Sequence, residues 1–401
     1  MTDPTPSLPL AGLRVLAVEQ YGAGPFGTLF LADQGAEVIK IENPHDGGDM
    51  ARGVGPHFFG PGDSHFFHAF NRNKSSITLD LGKPQGQRLL HELVGTADAL
   101  ISNLRGDVPQ KLGLTYATLG VFNRRIVCAH LSAYGRTGPR AAWPGYDYLM
   151  QAEAGYFSLT GEVDGPPSRF GLSMVDLMTG LGLAYATLTA LIAARSSGIG
   201  RDIDVSLFDM ALFNLGYLAN WYLNCGVNTA RLPRSAHPSL TPCQLYRTRD
   251  DWIYIMCNKE KFWPLLCREI GRPEWAQDSR LATFAARLEH RDLITELLDG
   301  VFGQADTATW LERLGGRVPA APVYDVAQAL DNPFVTGHGR LQALTHDSGV
   351  PYRMVSPPIA TEGLTAPARP APDLGQNTDA VFGALGYSAS DLAKLRADGV
   401  I

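Results

Sequence analysis

The stretch "LRVLAVEQYGAGPFGTLFLADQGAEVIKIE", Leu13–Glu42, decides the fold. Leu13–Glu19 is a short apolar run of strand length, and Ala36–Glu42 repeats the pattern. Between them, Pro25 stands where a helix accepts proline, at its start, and Gly35 stands where a helix ends. A strand, a helix and a second strand in so short a span predict parallel neighbours joined by a crossover.

The alternation continues outward. Ser76–Leu81, Ala99–Ser102 and Arg125–His130 read as strands and Gly86–Val94 as a helix. Strands separated by helices imply an α/β fold with a mostly parallel sheet covered on both faces. Pro44–Asn73 is rich in Gly, His and Phe, shows no period and is too long for an idle connector, so it reads as a binding loop. Helical patterns run from Val175 to Asn224. The uncharged part, Thr179–Ala194, is shorter than the roughly 18–20 residues of a membrane span, so a buried helix is expected.

A turn-rich linker at 226–242 separates residues 1–225 from a smaller α+β domain, 243–330. That domain opens with a hairpin around Arg249–Asp251, followed by helices at Glu260–Ile270, Phe284–Phe302 and Thr307–Leu314. Residues 331–401 hold strand-like pieces, a Pro-rich segment and a last helix, Ser388–Asp398, with Ser388 as its N-cap.

Composition narrows the function. A chain of 401 residues suggests two or three domains, and a net charge of -6 argues against nucleic-acid binding. The cysteines (Cys128, Cys225, Cys243, Cys257, Cys267) are odd in number and scattered, which fits free thiols in a reducing compartment. His65 and His68 lie among phenylalanines and read as packing residues, so no metal site is expected. "MTDPTPSLPLAGL" has no basic start or apolar core, so no secretory signal is visible; a cytoplasmic protein without a membrane partner is expected.

Two features carry chemistry. Gly22, Gly24 and Gly27 form GxGxxG between a strand and a helix, with Glu42 closing the next strand. This is the pattern of an NAD(P)-binding oxidoreductase, of a site for another pyrophosphate-bearing ligand, or of a tight turn that needs small residues. The second is Asp176, the one carboxylate in "RFGLSMVDLMTGLGLAYATLTALIAAR", Arg169–Arg195. Aspartate there can cap a helix or act as a nucleophile in apolar surroundings, and the two roles can coexist.

Beyond the opening stretch, "FNRNKSSITLDL" (70–81), "ADALISNLRGDVPQKLGL" (97–114), "GYDYL" (145–149), "GIGRDIDVSLFDMAL" (198–212), "YRTRDDWIYI" (246–255) and "AAPVYDVAQAL" (320–330) follow in order. Together they resemble the class III coenzyme A-transferases, the group of formyl-CoA transferase, carnitine CoA-transferase and α-methylacyl-CoA racemase. The resemblance implies a Rossmann-like large domain completed by the C-terminal segment, a small domain between, and an interlocked homodimer in which the Pro-rich segment can strap a partner. It implies a CoA-transferase with coenzyme A as co-substrate and no tightly bound cofactor.

In this family a catalytic aspartate, matched by Asp176, carries the acyl group as an anhydride and CoA as a thioester. The resemblance places Ala23, Gly24, Lys74, Asn103, Leu104 and Lys111 near CoA, with Arg72 and Arg105 as further phosphate candidates. Relatives often carry arginine where Asn43 stands. The racemase branch has its histidine where Tyr146 stands, and a phenol is a poor base at neutral pH, which disfavours a racemase or epimerase. Tyr146 and Asp147 are expected to line the acyl pocket, with Asp147 alternatively a structural partner. "RLPRSAHPSLTP" lacks the glycine run of the formyl-CoA branch, which puts formate and oxalate in doubt; His237 within it is either near the site or a linker residue. Larger acids are therefore expected, with a dicarboxylyl-CoA such as succinyl-CoA as donor and Arg52 as a partner for a distal carboxylate.

Overall fold

The computed structural model describes residues 7–401. The chain forms two compact units. The first comprises residues up to 154 with 171–216 and 337–401, and the second comprises 155–170 and 217–336. The sequence reading put the breaks at 225 and 330, and it kept 155–170 in the large domain. Hydrogen bonds explain why that short segment joins the second unit: Arg231 donates to the carbonyls of Gly165 and Pro166 (2.9 and 2.8 Å), and Glu162 accepts from the Arg234 N–H (3.0 Å).

The first unit is built on six strands: β1 (Arg14–Val18), β2 (Glu37–Glu42), β3 (Ser75–Thr78), β4 (Ala99–Ser102), β5 (Val127–Ser132) and β6 (Asp202–Ser206). Their order is β3-β2-β1-β4-β5-β6 and every pairing is parallel. This is the doubly wound order that reverses direction between β1 and β4. β4 and β5 are buried along their whole length, as a sheet covered on both faces requires. The sequence reading ran helices across β6. That strand is an edge with acids at Asp202 and Asp204, so it lacks the apolar run that marks its neighbours.

Helix α1 (Ala23–Asp33) follows β1, and the 24-residue α5 (Met174–Ser197) crosses it. An added Cβ on Gly27 would lie 2.5 Å from the Gly180 carbonyl oxygen, and one on Gly180 would lie 2.5 Å from that of Ala23. Two backbones this close leave room for glycine alone. Val175, Asp176, Thr179, Gly180, Leu183, Ala184, Thr187 and Leu191 form the buried face of α5. Its other face exposes Leu181, Tyr185 and Ile192 (50, 73 and 72%), so the helix expected to be buried is buried on one side.

Residues 44–73, expected as an irregular loop, are ordered. They hold a 3-10 turn (Met50–Gly53), a short hairpin (Phe58–Gly60 with Asp63–Ser64) and α2 (His65–Asn71). Ser64 caps α2, its hydroxyl accepting from the Phe67 N–H at 3.0 Å. Helix α3 (Pro84–Val94) covers the sheet, and α4 (Asp147–Glu153) and α6 (Leu207–Phe213) lie beside α5.

The C-terminal segment packs on this unit. It supplies an antiparallel hairpin, β10 (Leu341–Thr345) with β11 (Pro351–Val355), and helices α7 (Thr378–Ala384) and α8 (Ala389–Ala397). Phe382, Leu392, Val400 and Ile401 join the core of Leu16, Ile39, Ile77 and Leu100. Ser388 caps α8 in a reciprocal box with Asp391. The Pro-rich segment is tied to its own chain: the Arg369 N–H donates to the Asn73 side chain (2.9 Å) and the Asn73 N–H to the Arg369 carbonyl (3.2 Å).

In the second unit β7 (Cys243–Arg247), β8 (Trp252–Met256) and β9 (Ala320–Pro322) form an antiparallel sheet in the order β9-β8-β7. Tyr246, Trp263, Phe302 and Trp310 centre its core. All five cysteines are free thiols, with Cys225 exposed.

Candidate active site

Asp176 is the third residue of α5 and is 8% exposed. Ser173 precedes the helix without capping it. The cap comes from α4: Asp147 Oδ2 accepts the Asp176 N–H at 3.0 Å, while Asp147 Oδ1 accepts from Gln151 Nε2 at 2.5 Å. Asp147 thus binds the first turn of α5, and the Asp176 side chain does not cap the helix. Among the described residues no donor reaches the Asp176 carboxylate. Burial, and then the negative charge of Asp147, push that carboxyl from 3.8 up to about 7.

The carboxylate opens on a cavity of about 180 Å³ at the strand ends where the sheet order reverses. Its walls are Gln20–Ala23 after β1, Asn103–Arg105 after β4, Leu131–Ala133 at the end of β5, Trp143–Tyr146, Met50 and Leu207. Ligands of open α/β sheets bind at such a switch point. Each of the three glycines of GxGxxG meets a packing constraint here. A Cβ on Gly22 would lie 2.9 Å from Asp176 Oδ2, one on Gly24 2.7 Å from the Asn103 side chain, and one on Gly27 against Gly180. Asn103 clamps the loop after β1, its Oδ1 accepting the Gln20 N–H (2.8 Å) and its Nδ2 donating to the Gln20 carbonyl (2.7 Å).

A buried ion network underlies that loop. Lys40 Nζ pairs with Asp49 Oδ2 (2.7 Å) and donates to the Glu19 carbonyl (2.9 Å). Lys74 Nζ donates to Glu19 Oε1 (2.9 Å), the Pro25 carbonyl (2.9 Å) and Asn71 Oδ1 (3.0 Å). Three partners use all three ammonium protons. Burial pulls the Lys74 pKa down to about 8 against the attraction of Glu19.

The sequence candidates therefore divide. Asp176, Ala23, Asn103, Leu104, Arg105 and Tyr146 line one cavity, and Gly24 packs behind Asn103. Lys74 lies inside the protein with no proton left for a phosphate. Arg72 is also buried, forked onto Asp33 (3.1 and 2.7 Å) and donating to the Val355 carbonyl (2.7 Å). Arg52, expected to meet a distal carboxylate, is held by Glu42 (2.9 and 2.7 Å) and the Pro372 carbonyl (3.1 Å), and it stacks on Phe67. One physical reason covers these three cations: each has an acid partner 10 to 55 residues away in sequence that the fold brings against it.

Arg105 and Lys111 are exposed and both pair with Asp107, at 2.5 and 2.6 Å. Asn43 lines a second cavity of about 270 Å³ with Glu42, Asp46 and Asp80, and Leu104 borders both cavities. His237 belongs to the second unit, where its Nε2 lies 3.3 Å from the Tyr217 hydroxyl and its Nδ1 accepts the Ser239 N–H at 3.1 Å. Sequence reasoning missed Gln20, Tyr21, Met50 and Trp143 as lining residues. Gln20 and Tyr21 sit inside the quoted glycine stretch, but Met50 and Trp143 lie in segments with no motif.

The family model of CoA-transferase family III matches residues 10–378. The chain belongs to this family. It is therefore an enzyme of the CoA-transferase class, using CoA thioesters as co-substrates. It is 34% identical to the succinate–glutarate CoA-transferase of Agrobacterium fabrum over 96% of this chain and 98% of that one. With the acetyl-CoA:oxalate CoA-transferase of Acetobacter aceti the identity is 36% over 83% and 86%. A crystal structure of a CaiB/BaiF family protein from Brucella suis superposes with a TM-score of 0.81 at 33% identity, covering 95% of this chain and all of that one.

Proposed function

We propose that this CoA-transferase moves CoA from a dicarboxylyl-CoA, such as succinyl-CoA, to a carboxylic acid acceptor, with Asp176 as the covalent carrier. The observation that carries the reading is a buried carboxylate that no donor reaches among the described residues, facing a cavity at the switch point of the sheet. A solvated or salt-bridged carboxylate is a weak nucleophile. One raised to about 7 by burial is more basic, yet remains substantially ionised at neutral pH. The relative named for succinate and glutarate supports the substrate class, while the relative named for acetyl-CoA and oxalate speaks against the doubt that the linker sequence cast on oxalate.

Ionised Asp176 attacks the thioester carbonyl; a C–O bond forms, the C–S bond breaks and CoA leaves as thiolate. The thiolate attacks the aspartyl carbonyl of the anhydride, releasing the donor acid and leaving an aspartyl-CoA thioester. The acceptor carboxylate then attacks that thioester, re-forming an anhydride and thiolate. The thiolate finally takes the acceptor's acyl group and restores Asp176. The thioester energy is kept only while water is excluded, which the low exposure of Asp176 supports. The first N–H groups of α1, at Ala23 and Gly24, have no intrahelical partner and suit an anionic oxygen of CoA. Arg105 and Lys111 suit its phosphates once Asp107 shares them.

A homodimer accompanies this reading, supported by the exposed apolar face of α5 and by Phe213 at 81% exposure. Light scattering should then give twice the chain mass. Incubation with succinyl-CoA and hydroxylamine tests the chemistry: a hydroxamate at position 176 supports it, and labelling elsewhere overturns it. Asp176→Asn should abolish exchange while CoA still binds.

A further inference from the structure

Tyr21 sits directly before the Gly22 that abuts the Asp176 carboxylate, and it lines the same cavity. Its backbone is left-handed, with φ at +68°. A bulky L-residue is rarely found there, while glycine or asparagine adopts this conformation at lower cost. If the turn alone mattered, either would serve better, so the side chain at position 21 has a use that offsets the strain.

The conformation is over-determined. The Tyr21 N–H donates to Asp49 Oδ1 at 2.8 Å, and Asp49 is fixed by the Ala51 N–H (2.9 Å), by buried Lys40 (2.7 Å) and by its own N–H to Glu42 (2.9 Å). The ring is packed as well as the backbone, against Phe66 at 5.1 Å between centroids and against Tyr146 at 6.5 Å in a T-shaped arrangement. Among the described residues the Tyr21 hydroxyl has no hydrogen-bond partner. Burial, and then the nearby Asp176, Tyr148 and Tyr146, hold its pKa above 10.0, so it remains a neutral O–H donor.

We propose that Tyr21 is the specificity-determining residue for a second carboxylate on the acyl group, its hydroxyl donating to that carboxylate within the Asp176 cavity. The inference rests on the CoA-transferase reading above. Arg52 is committed to Glu42, and Arg105, the one cation among the described residues that lines this cavity, is assigned above to the phosphates of CoA. A neutral donor also has a chemical advantage here. A cation beside Asp176 would pair with the nucleophile and weaken it, whereas a phenol reads an anion without adding charge.

The test compares Tyr21→Phe with the wild type on succinyl-CoA and on butyryl-CoA, which has a methyl group where succinyl-CoA has its distal carboxylate. The expected result is a ten- to hundredfold fall in kcat/KM for succinyl-CoA, the worth of a hydrogen bond to a charged group, with less than a twofold change for butyryl-CoA. The ratio of the two donors does not depend on how much enzyme is folded. Equal losses on both, or no loss on either, overturn the assignment of Tyr21. A wild type that exchanges CoA with neither donor overturns the underlying reading instead.

Discussion

Replacing Asp147 by asparagine separates the two causes that set the basicity of Asp176. The amide keeps a carbonyl oxygen to accept the Asp176 N–H, now received at 3.0 Å, but it removes the negative charge. The Asp176 carboxyl stands about 3 pH units above its ordinary 3.8, at about 7, and burial contributes more than the neighbouring charge. Asp147 therefore accounts for less than half of the rise, which bounds its effect at ~1.5 pH units or ~2 kcal/mol. The nucleophile must be ionised, so wild-type activity falls as pH drops through about 7, and the variant should hold its activity to lower pH. At pH 6 the wild-type ionised fraction is roughly a tenth, and each pH unit by which the limb moves is worth up to about a fivefold gain in relative kcat/KM there. The assay is the pH profile of kcat/KM from pH 5 to 9 with succinyl-CoA as donor, each enzyme normalised to its own plateau. An acid limb that stays in place or moves to higher pH refutes the electrostatic coupling.

Asp176 should also cost stability. Its folded pKa lies above its unfolded one, so the penalty is absent below about pH 4, grows as pH rises and is complete above about 7. Asp176→Asn should then gain up to about 4 kcal/mol over wild type in urea melts at pH 8 and nothing at pH 4; equal gains at both would contradict this. Lys74→Met should cost about 3–5 kcal/mol, because it strips a buried partner from Glu19; a raised KM for CoA with an unchanged melting temperature would return Lys74 to the phosphate role the sequence suggested. Gly27→Ala should lower stability by about 1–3 kcal/mol or more, since the Gly180 carbonyl cannot yield as a side chain would; calorimetry reads this directly. Lys111→Ala should raise KM for the CoA thioester with kcat unchanged, and the difference should shrink at high salt.

The fold was legible where one local signal dominated. Strands β1, β2 and β4 are apolar runs bounded by turn residues, and α1 and α8 carry their own start signals in Pro25 and Ser388. β6 and α2 were not, because an edge strand with alternating acids and a seven-residue aromatic helix look irregular until their neighbours cover them. Asp176 was readable as an isolated carboxylate in an apolar run. Its freedom from capping was not, since the cap is supplied by Asp147, 29 residues earlier in sequence.

The chain's order of residues thus determined which segments become strands and helices, and which acid stands in an apolar surround, because those properties follow from neighbours along the backbone. Only the tertiary structure decided which cations remain available. Lys74, Arg72 and Arg52 look alike in sequence to Arg105 and Lys111, but the fold brings Glu19, Asp33 and Glu42 against the first three and buries each pair. A charge without its partner is too costly to bury, and the partner is chosen by proximity in space.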